Sequence, residues 1–383
     1  MKKIILIAFA LLIITNAFSQ NNISNYVFCS DLHYGLFKSH FQGKDSVSAY
    51  EVNSAMVKQI NKLMGMSIPD DLGVGSDDVI MSIDAVIITG DIANRMEVDK
   101  EGNTSIQSAT KSWDQFTEEF KEGLKLENKN GQKSELWITA GNHDVSDAIG
   151  FYKKMVPDVD ATAYIGIYNL MMRPKTPVTK ENFNYETQKV HYSEYKNGVH
   201  FQFVNLWPDS EERTWMEKDL DTVSVSTPVL IFTHANPDVE ARFFKNPNGD
   251  HSINKTDKFE NLLNETFKDG ISSKDTAKIE QRDFVSFLKK HPNIKAYFHG
   301  HNNNNEFYTW AGPDNNIQLP CFRVDSPMKG KVSSKDETKL SYQLISIDSN
   351  KKLLTVRECF WNTDPANKNG TVKWGVPKTI SLQ

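Results

Sequence analysis

Asp31, His33, Asp91, Asn142, His234, His299 and His301 are side chains that bind cations well, and each follows a short apolar run. Tyr26–Ser30 leads to Asp31-Leu32-His33, Ala85–Thr89 to Gly90-Asp91-Ile92-Ala93-Asn94, and Leu136–Thr139 to Ala140-Gly141-Asn142-His143-Asp144. Val229–Thr233 leads to His234, and Ile294–Phe298 to His299-Gly300-His301. Asp31 and His33 are two apart, so in extended backbone both would point to one side. Mixed carboxylate and imidazole donors suit Fe, Zn or Mn. Singly, each residue has an ordinary reading: an Asp or Asn after a strand is a turn former, and a lone His is a surface or satisfied core residue. The conjunction is less ordinary. Of the 10 histidines, half fall at these run ends, while His40, His191, His200, His251 and His291 fall elsewhere and read as structural or surface residues.

The apolar runs that precede these residues read as buried strands. Val199–Leu206, Leu319–Val324, Tyr342–Ile347 and Leu353–Cys359 repeat the pattern, and the last three have little helix between them, which predicts antiparallel pairing late in the fold. Helices are expected over Ala49–Met66, Ser112–Leu126, Arg213–Leu220 and Ile279–His291. In the second of these Trp113, Phe116, Phe120 and Leu124 share one face, as core packing requires. Alternating strands and helices predict a layered α/β fold, in which ligands gather where strands end and loops begin. Asn236–Ser273 is long, polar and weakly periodic, so residues 236–273 read as a loop or an insertion covering a site. The expected organisation is one domain over 20–383 with a strand-rich C-terminal part at 317–383.

Lys2 and Lys3, the apolar run Ile4–Ile14 and the exit Ala17-Phe18-Ser19 have the order of a signal peptide, residues 1–19. The run is shorter than the ~20 residues that span a bilayer, so a periplasmic or secreted protein without a stable membrane anchor is expected. The formal charge of −5 argues against a nucleic-acid partner. Three cysteines are too few for a disulfide-built fold; Cys321 and Cys359 either pair or stay as buried thiols, with equal weight. The sequence leaves the oligomeric state open.

Asp-x-His, Gly-Asp-x-x-Asn, Gly-Asn-His-Asp, a lone His after a strand, and His299-Gly300-His301 taken as a closing Gly-His-x-His block occur in that order. From Asp31 to His301 the chain thereby resembles the calcineurin-like metallophosphoesterase superfamily. The resemblance implies a four-layer α/β/β/α sandwich, two mixed sheets flanked by helices. It also implies two metal ions: one held by Asp31, His33 and His301, the other by Asn142, His234 and His299, with Asp91 bridging. A metal-bridging hydroxide would then attack a small phosphate mono- or diester while His143 protonates the leaving oxygen. Asp144 would orient that ring or simply shape the turn. Asn94, Arg242 and Asn302 are candidate substrate contacts. The helix around Trp215 also resembles one common in these enzymes. Two departures bear on subfamily: Thr233 stands where many relatives carry Gly, and Asn94 where many carry Asp. The segment Asp91–Asn94 lacks the Tyr of purple acid phosphatases, which disfavours that branch. The alternative of a different class is a catalytically silent protein that binds phosphorylated ligands on the same fold.

Overall fold

The structure is a computed structural model that describes residues 22–98, 104–146, 159–239, 273–367 and 370–383. The first half carries strands β1 (Ile23–Cys29), β2 (Phe37–Phe41), β3 (Lys44–Ser48), β4 (Ala85–Thr89), β5 (Met96–Val98), β6 (Thr104–Gln107) and β7 (Glu135–Thr139). Then follow β8 (Tyr192–Lys196), β9 (Val199–Phe203), β10 (Val229–Phe232), β11 (Ile294–His299), β12 (Glu306–Trp310) and β13 (Leu319–Arg323). β14 (Ser341–Asp348), β15 (Leu353–Phe360), β16 (Lys373–Trp374) and β17 (Lys378–Ser381) close the chain. The helices are α1 (Ala49–Ile60), α2 (Ala109–Phe116), α3 (Asn142–Ser146), α4 (Thr162–Met172), α5 (Ser210–Leu220) and α6 (Ser273–Lys290).

Two mixed sheets form. One has the order β16-β15-β14-β1-β4-β7, with β17 on β15; the other runs β12-β13-β11-β10-β9-β8. β1, β4 and β7 are parallel, as are β9, β10, β11 and β13. β14 runs antiparallel to β1, from Ile23 opposite Asp348 to Phe28 opposite Gln343. Period-2 alternation sends successive β1 side chains to opposite faces. Tyr26 and Phe28 join Ile87, Trp137, Phe201, Phe203, Phe232 and Phe298 in an aromatic layer between the sheets. Val27 and Cys29 face outward, with Met56, Ile60, Phe116, Phe120 and Tyr164 of the helical flank. On the far side α5 and α6 cover the second sheet through Met216, Leu220, Phe284 and Leu288. A strand buried on both faces reads as a continuous apolar run, which is why these strands stood out. The layers are helix, sheet, sheet, helix, as expected.

The element boundaries differ in informative ways. Ser108 caps α2 through the Lys111 amide, and the helix passes into a π-helical turn, Thr117–Glu122, instead of running on regularly. α6 begins at Ser273, six residues before the apolar stripe, because its first turns carry no stripe. α4 escaped because its residues are apolar all round; it fits its neighbour through Gly166, where a Cβ would lie 2.3 Å from the Trp113 ring. The β2–β3 hairpin turns on Gln42 and Gly43, both at positive φ (49° and 75°), the pairing a two-residue type I′ loop demands. Cys321 lies in the outer core of the second sheet and Cys359 in that of the first, so both are buried free thiols and the disulfide reading falls. No helix among the described residues is long and apolar enough to cross a membrane. The signal-peptide residues, Arg242 and most of 236–273 lie outside the described residues.

A candidate metal centre at the strand ends

The C-terminal ends of β1, β4, β7, β10 and β11 meet along one edge where the two sheets face each other. Beyond β1 and β4 the loops continue the ladder: the Asp31 amide donates to Gly90 O at 3.0 Å, His33 N to Asp91 O at 2.9 Å, and Tyr34 N to Ile92 O at 2.8 Å. Asp31, His33, Asp91 and His301 all adopt positive φ (56°, 45°, 51° and 64°), a conformation that costs a non-glycine residue roughly 1–2 kcal/mol. Asp31 and His33 therefore do not sit in extended backbone as expected; two left-handed turns aim them. Glycine permits the close approach. A Cβ at Gly90 would lie 2.2 Å from Gly141 N, and one at Gly300 2.2 Å from Asp31 Oδ2.

Two groups of donors result, Asp31–His33–Asp91 and Asp91–His234–His301, with Asp91 common to both. His33 Nε2 is 3.8 Å from Asp31 Oδ1 and 3.7 Å from Asp91 Oδ2. His234 Nε2 lies 3.3 Å from Asp91 Oδ2, 3.0 Å from Asn142 Oδ1 and 3.1 Å from His301 Nδ1, and that last atom is 3.1 Å from Asn142 Oδ1. Proton positions follow from the outer partners. His234 Nδ1 donates to Thr89 O (2.7 Å) and His33 Nδ1 to Asn94 Oδ1 (2.8 Å). Each Nε2 of the neutral rings is then a lone pair facing other acceptors. Asp31 Oδ1 and His33 Nε2 are buried without a hydrogen-bond partner among the described residues. Lone pairs converging in a buried site call for a cation, so the donor set fits metal.

The charges tell the same story. Burial works against the His234 charge, but Asp91, and more weakly Asp31, outweigh it and lift the ring to about 9. Burial likewise opposes the Asp91 charge, and His234, His143 and His33 overcome it, holding Asp91 well below the usual carboxylate range. Burial raises Asp31 to about 6 and lowers His301 to about 3, where the charge on His234 adds to the effect. A single proton at His234 thus does what a cation would do better.

Several expectations need correction. His299 does not join either group. Its Nε2 meets Tyr308 OH at 2.8 Å and its Nδ1 meets Gly300 O at 3.0 Å. His299 is the last residue of β11, so it shares the outward face with Tyr297, whose ring centroid is 5.8 Å away. His301 goes with His234 and Asn142, not with Asp31 and His33, although its amide donates to Asp31 Oδ2 at 2.9 Å. The closing block is therefore Gly300-His301-Asn302-Asn303, and Asn303 occupies the place assumed for a second histidine. Asn303 Nδ2 donates to His301 O (2.9 Å), and its Oδ1 is buried without a hydrogen-bond partner among the described residues.

Asp144 does not orient the His143 ring through its carboxylate. Its two oxygens accept the amides of Ile92 (2.8 Å), Ala93 (3.2 Å) and Gly141 (2.8 Å), bracing the β4 loop against the β7 loop. Burial and then the Asp91 charge push Asp144 up to about 7. Asn94 takes the orienting part. It is fully buried, accepts from His33 through Oδ1, and donates from Nδ2 to His143 Nδ1 at 3.3 Å, so it ties the two rings together. The His143 amide donates to Asp91 Oδ1 at 2.8 Å. Asn302 is half-buried in the turn after His301, its amide on Gly300 O at 2.8 Å. Sequence reasoning missed Tyr308, which draws His299 aside, and Lys329, whose charge acts on His33 and His301. Neither belongs to a motif; only the pairing of β12 with β13, and of β13 with β11, brings their segments here.

The family model described as calcineurin-like phosphoesterase matches residues 24–305, and the chain belongs to that family. It is a metal-dependent phosphoesterase of this class by membership, and its Asp and His groups are arranged to hold metal. A solved structure, the calcineurin-like phosphoesterase YfkN from Bacillus subtilis, is similar to it at 11% identity, over 94% of this chain and 91% of that one, with a TM-score of 0.31. No curated protein matches the chain.

Proposed function

We propose that the chain is an exported dinuclear phosphoesterase that hydrolyses small phosphate mono- or diesters. The observation that carries this reading is the convergence of Asp91 Oδ2, Asn142 Oδ1, His234 Nε2 and His301 Nδ1 beside His143. Asp31, His33 and Asp91 would hold a first cation. Asp91, Asn142, His234 and His301 would hold a second. When bound, two cations of Fe, Zn or Mn type supply an activated water and neutralise phosphoryl charge. The chain's own residues do the rest. Thr89 O and Asn94 Oδ1 hold the imidazoles of His234 and His33 in the tautomer that offers Nε2. With Nδ1 accepting from Asn94, a neutral His143 carries its proton on Nε2, available to a leaving oxygen.

The signal-peptide pattern of residues 1–19 supports export, and the negative charge supports a small substrate over nucleic acid. N-terminal sequencing of the exported protein should begin near Gln20. For the chemistry, an aryl phosphate and a bis-aryl phosphate are compared after reconstitution with Mn, Zn or Fe. Release is expected to require metal, and His143→Ala should lower kcat by ~10²–10⁴-fold with metal content kept. Metal-loaded protein that cleaves neither ester would leave the phospho-ligand-binding reading in its place.

A further inference from the structure

Ser326 follows shortly after β13, belongs to no motif and is fully buried. Its Oγ accepts the amides of Met328 (3.2 Å) and Lys329 (2.9 Å) and meets Asp31 O at 2.8 Å. A hydroxyl has one proton and two lone pairs. The two amides can only donate, so they take the lone pairs, and the single proton goes to the Asp31 carbonyl. The bonds to Met328 and Lys329 make a local turn of a kind common for Ser. The bond to Asp31 is not local, since its partner lies 295 positions earlier in the chain. The loop that carries Ser326 is itself anchored: Lys38 Nζ donates to Pro327 O at 2.9 Å, and the Lys331 amide to Asn303 O at 2.6 Å.

Asp31 needs such a partner. Its φ of 56° lies in the left-handed region that residues with a Cβ avoid. On one side its amide donates to Gly90 O at 3.0 Å, and its Oδ2 accepts the His301 amide at 2.9 Å. Ser326 holds the other side, the carbonyl. What remains is Oδ1, buried without a hydrogen-bond partner among the described residues and 3.8 Å from His33 Nε2. With amide, carbonyl and one carboxylate oxygen fixed, the direction of Oδ1 is fixed as well. Resting on the metal-centre reading of the site, we propose that Ser326 is a positioning residue for the first cation. Its hydroxyl holds Asp31 in the left-handed turn that aims Oδ1 at the space shared with His33 and Asp91. The second group, Asp91, Asn142, His234 and His301, takes no donor from Asp31. Loss of the hydroxyl should therefore weaken one cation and spare the other, by the ~10–100-fold typical of a partner that orients a ligand.

The test titrates the full, metal-free chain with Mn by calorimetry, with no ester present. Ser326→Ala should bind one Mn equivalent about tenfold or more weakly and the other within about twofold of the parent. Ser326→Thr, which keeps the hydroxyl, should stay within about threefold for both. Double variants assign the effect to its group. With His33→Ala, where only the second group is whole, adding Ser326→Ala should change nothing. With His301→Ala, where the first group is whole, it should weaken the remaining Mn by about the same tenfold. The proposal is overturned by unchanged Mn affinity in Ser326→Ala, by equal weakening of the two equivalents, by Ser326→Thr binding as weakly as Ser326→Ala, or by equal effects in the two backgrounds. Because Mn is followed without turnover, a chain that cleaves no ester would sink the catalytic reading and still decide this one.

Discussion

A single glycine separates His299 from His301, yet the two rings end in different surroundings. His299 closes β11 and points outward to Tyr308, whereas His301 turns through φ 64° into the cluster. The resemblance put both in the metal set, one ring to each ion, and in extended backbone residues two apart would share a side. The positive φ of His301, next to the close approach of Gly300 to Asp31, turns the two rings apart and cannot be read from residue types. The ligand residue types themselves were legible, since motif spacing reported them one strand end at a time. The consequence is measurable. His299→Gln should retain the full metal stoichiometry by elemental analysis, while His301→Ala should lose roughly one equivalent or bind 10–100-fold more weakly. Equal loss in the two variants would restore His299 as a ligand.

At the start of α5, Asp209 combines two properties that one substitution separates. Its Oδ1 caps the helix through the Glu212 amide at 2.9 Å. Burial, and then the Glu212 charge, push its carboxyl up to about 7. The unfolded chain would lose that proton near ~3.9, so between these values the folded state holds more protons and stability falls as pH rises. Below ~4 both forms are protonated and the effect is absent; above about 7 it is complete. Asn caps as well as Asp. Asp209→Asn should therefore match the parent near pH 4 and exceed its Tm by a few degrees at pH 8, measured in chelator. A constant difference across pH would mean that the carboxyl is not shifted. Elements were legible where one apolar face or a doubly buried strand announced them, as in α1 and β4. They were not where the signal lay elsewhere. The hairpin at Gln42-Gly43 depends on backbone handedness, and α4 on a helix face emptied at Gly166 for Trp113.

Across the molecule, the layers followed from alternating strands and helices, but the strand order did not. The site draws on both sheets, β1, β4 and β7 of one and β10 and β11 of the other, so cations held there would tie the sheets together along one edge. Ligands that bind only the folded state stabilise it by mass action, ~2.7 kcal/mol at a hundred times Kd. Chelation should lower the Tm of the whole chain by several degrees, and adding Mn or Zn should restore it. A Tm indifferent to chelator would argue that the cluster is held by its own protons alone. What the sequence concealed at this scale is partnership between distant segments: β1, which precedes the first ligands, is flanked by β14, more than 300 residues later.

That pairing orders events in time. While a chain of this kind is still emerging from the ribosome, the strand that presents Asp31 has no neighbour on its β14 side, because that neighbour has not been made. Contacts so distant along the chain form slowly and late. Ser326, which fastens the Asp31 carbonyl, arrives almost as late. The pocket's affinity for its cations is therefore acquired after synthesis, wherever the finished polypeptide first collapses. For a precursor threaded unfolded through a membrane, that place lies on the far side, and the ion supply there, more than the ranking of donors, would choose the metal.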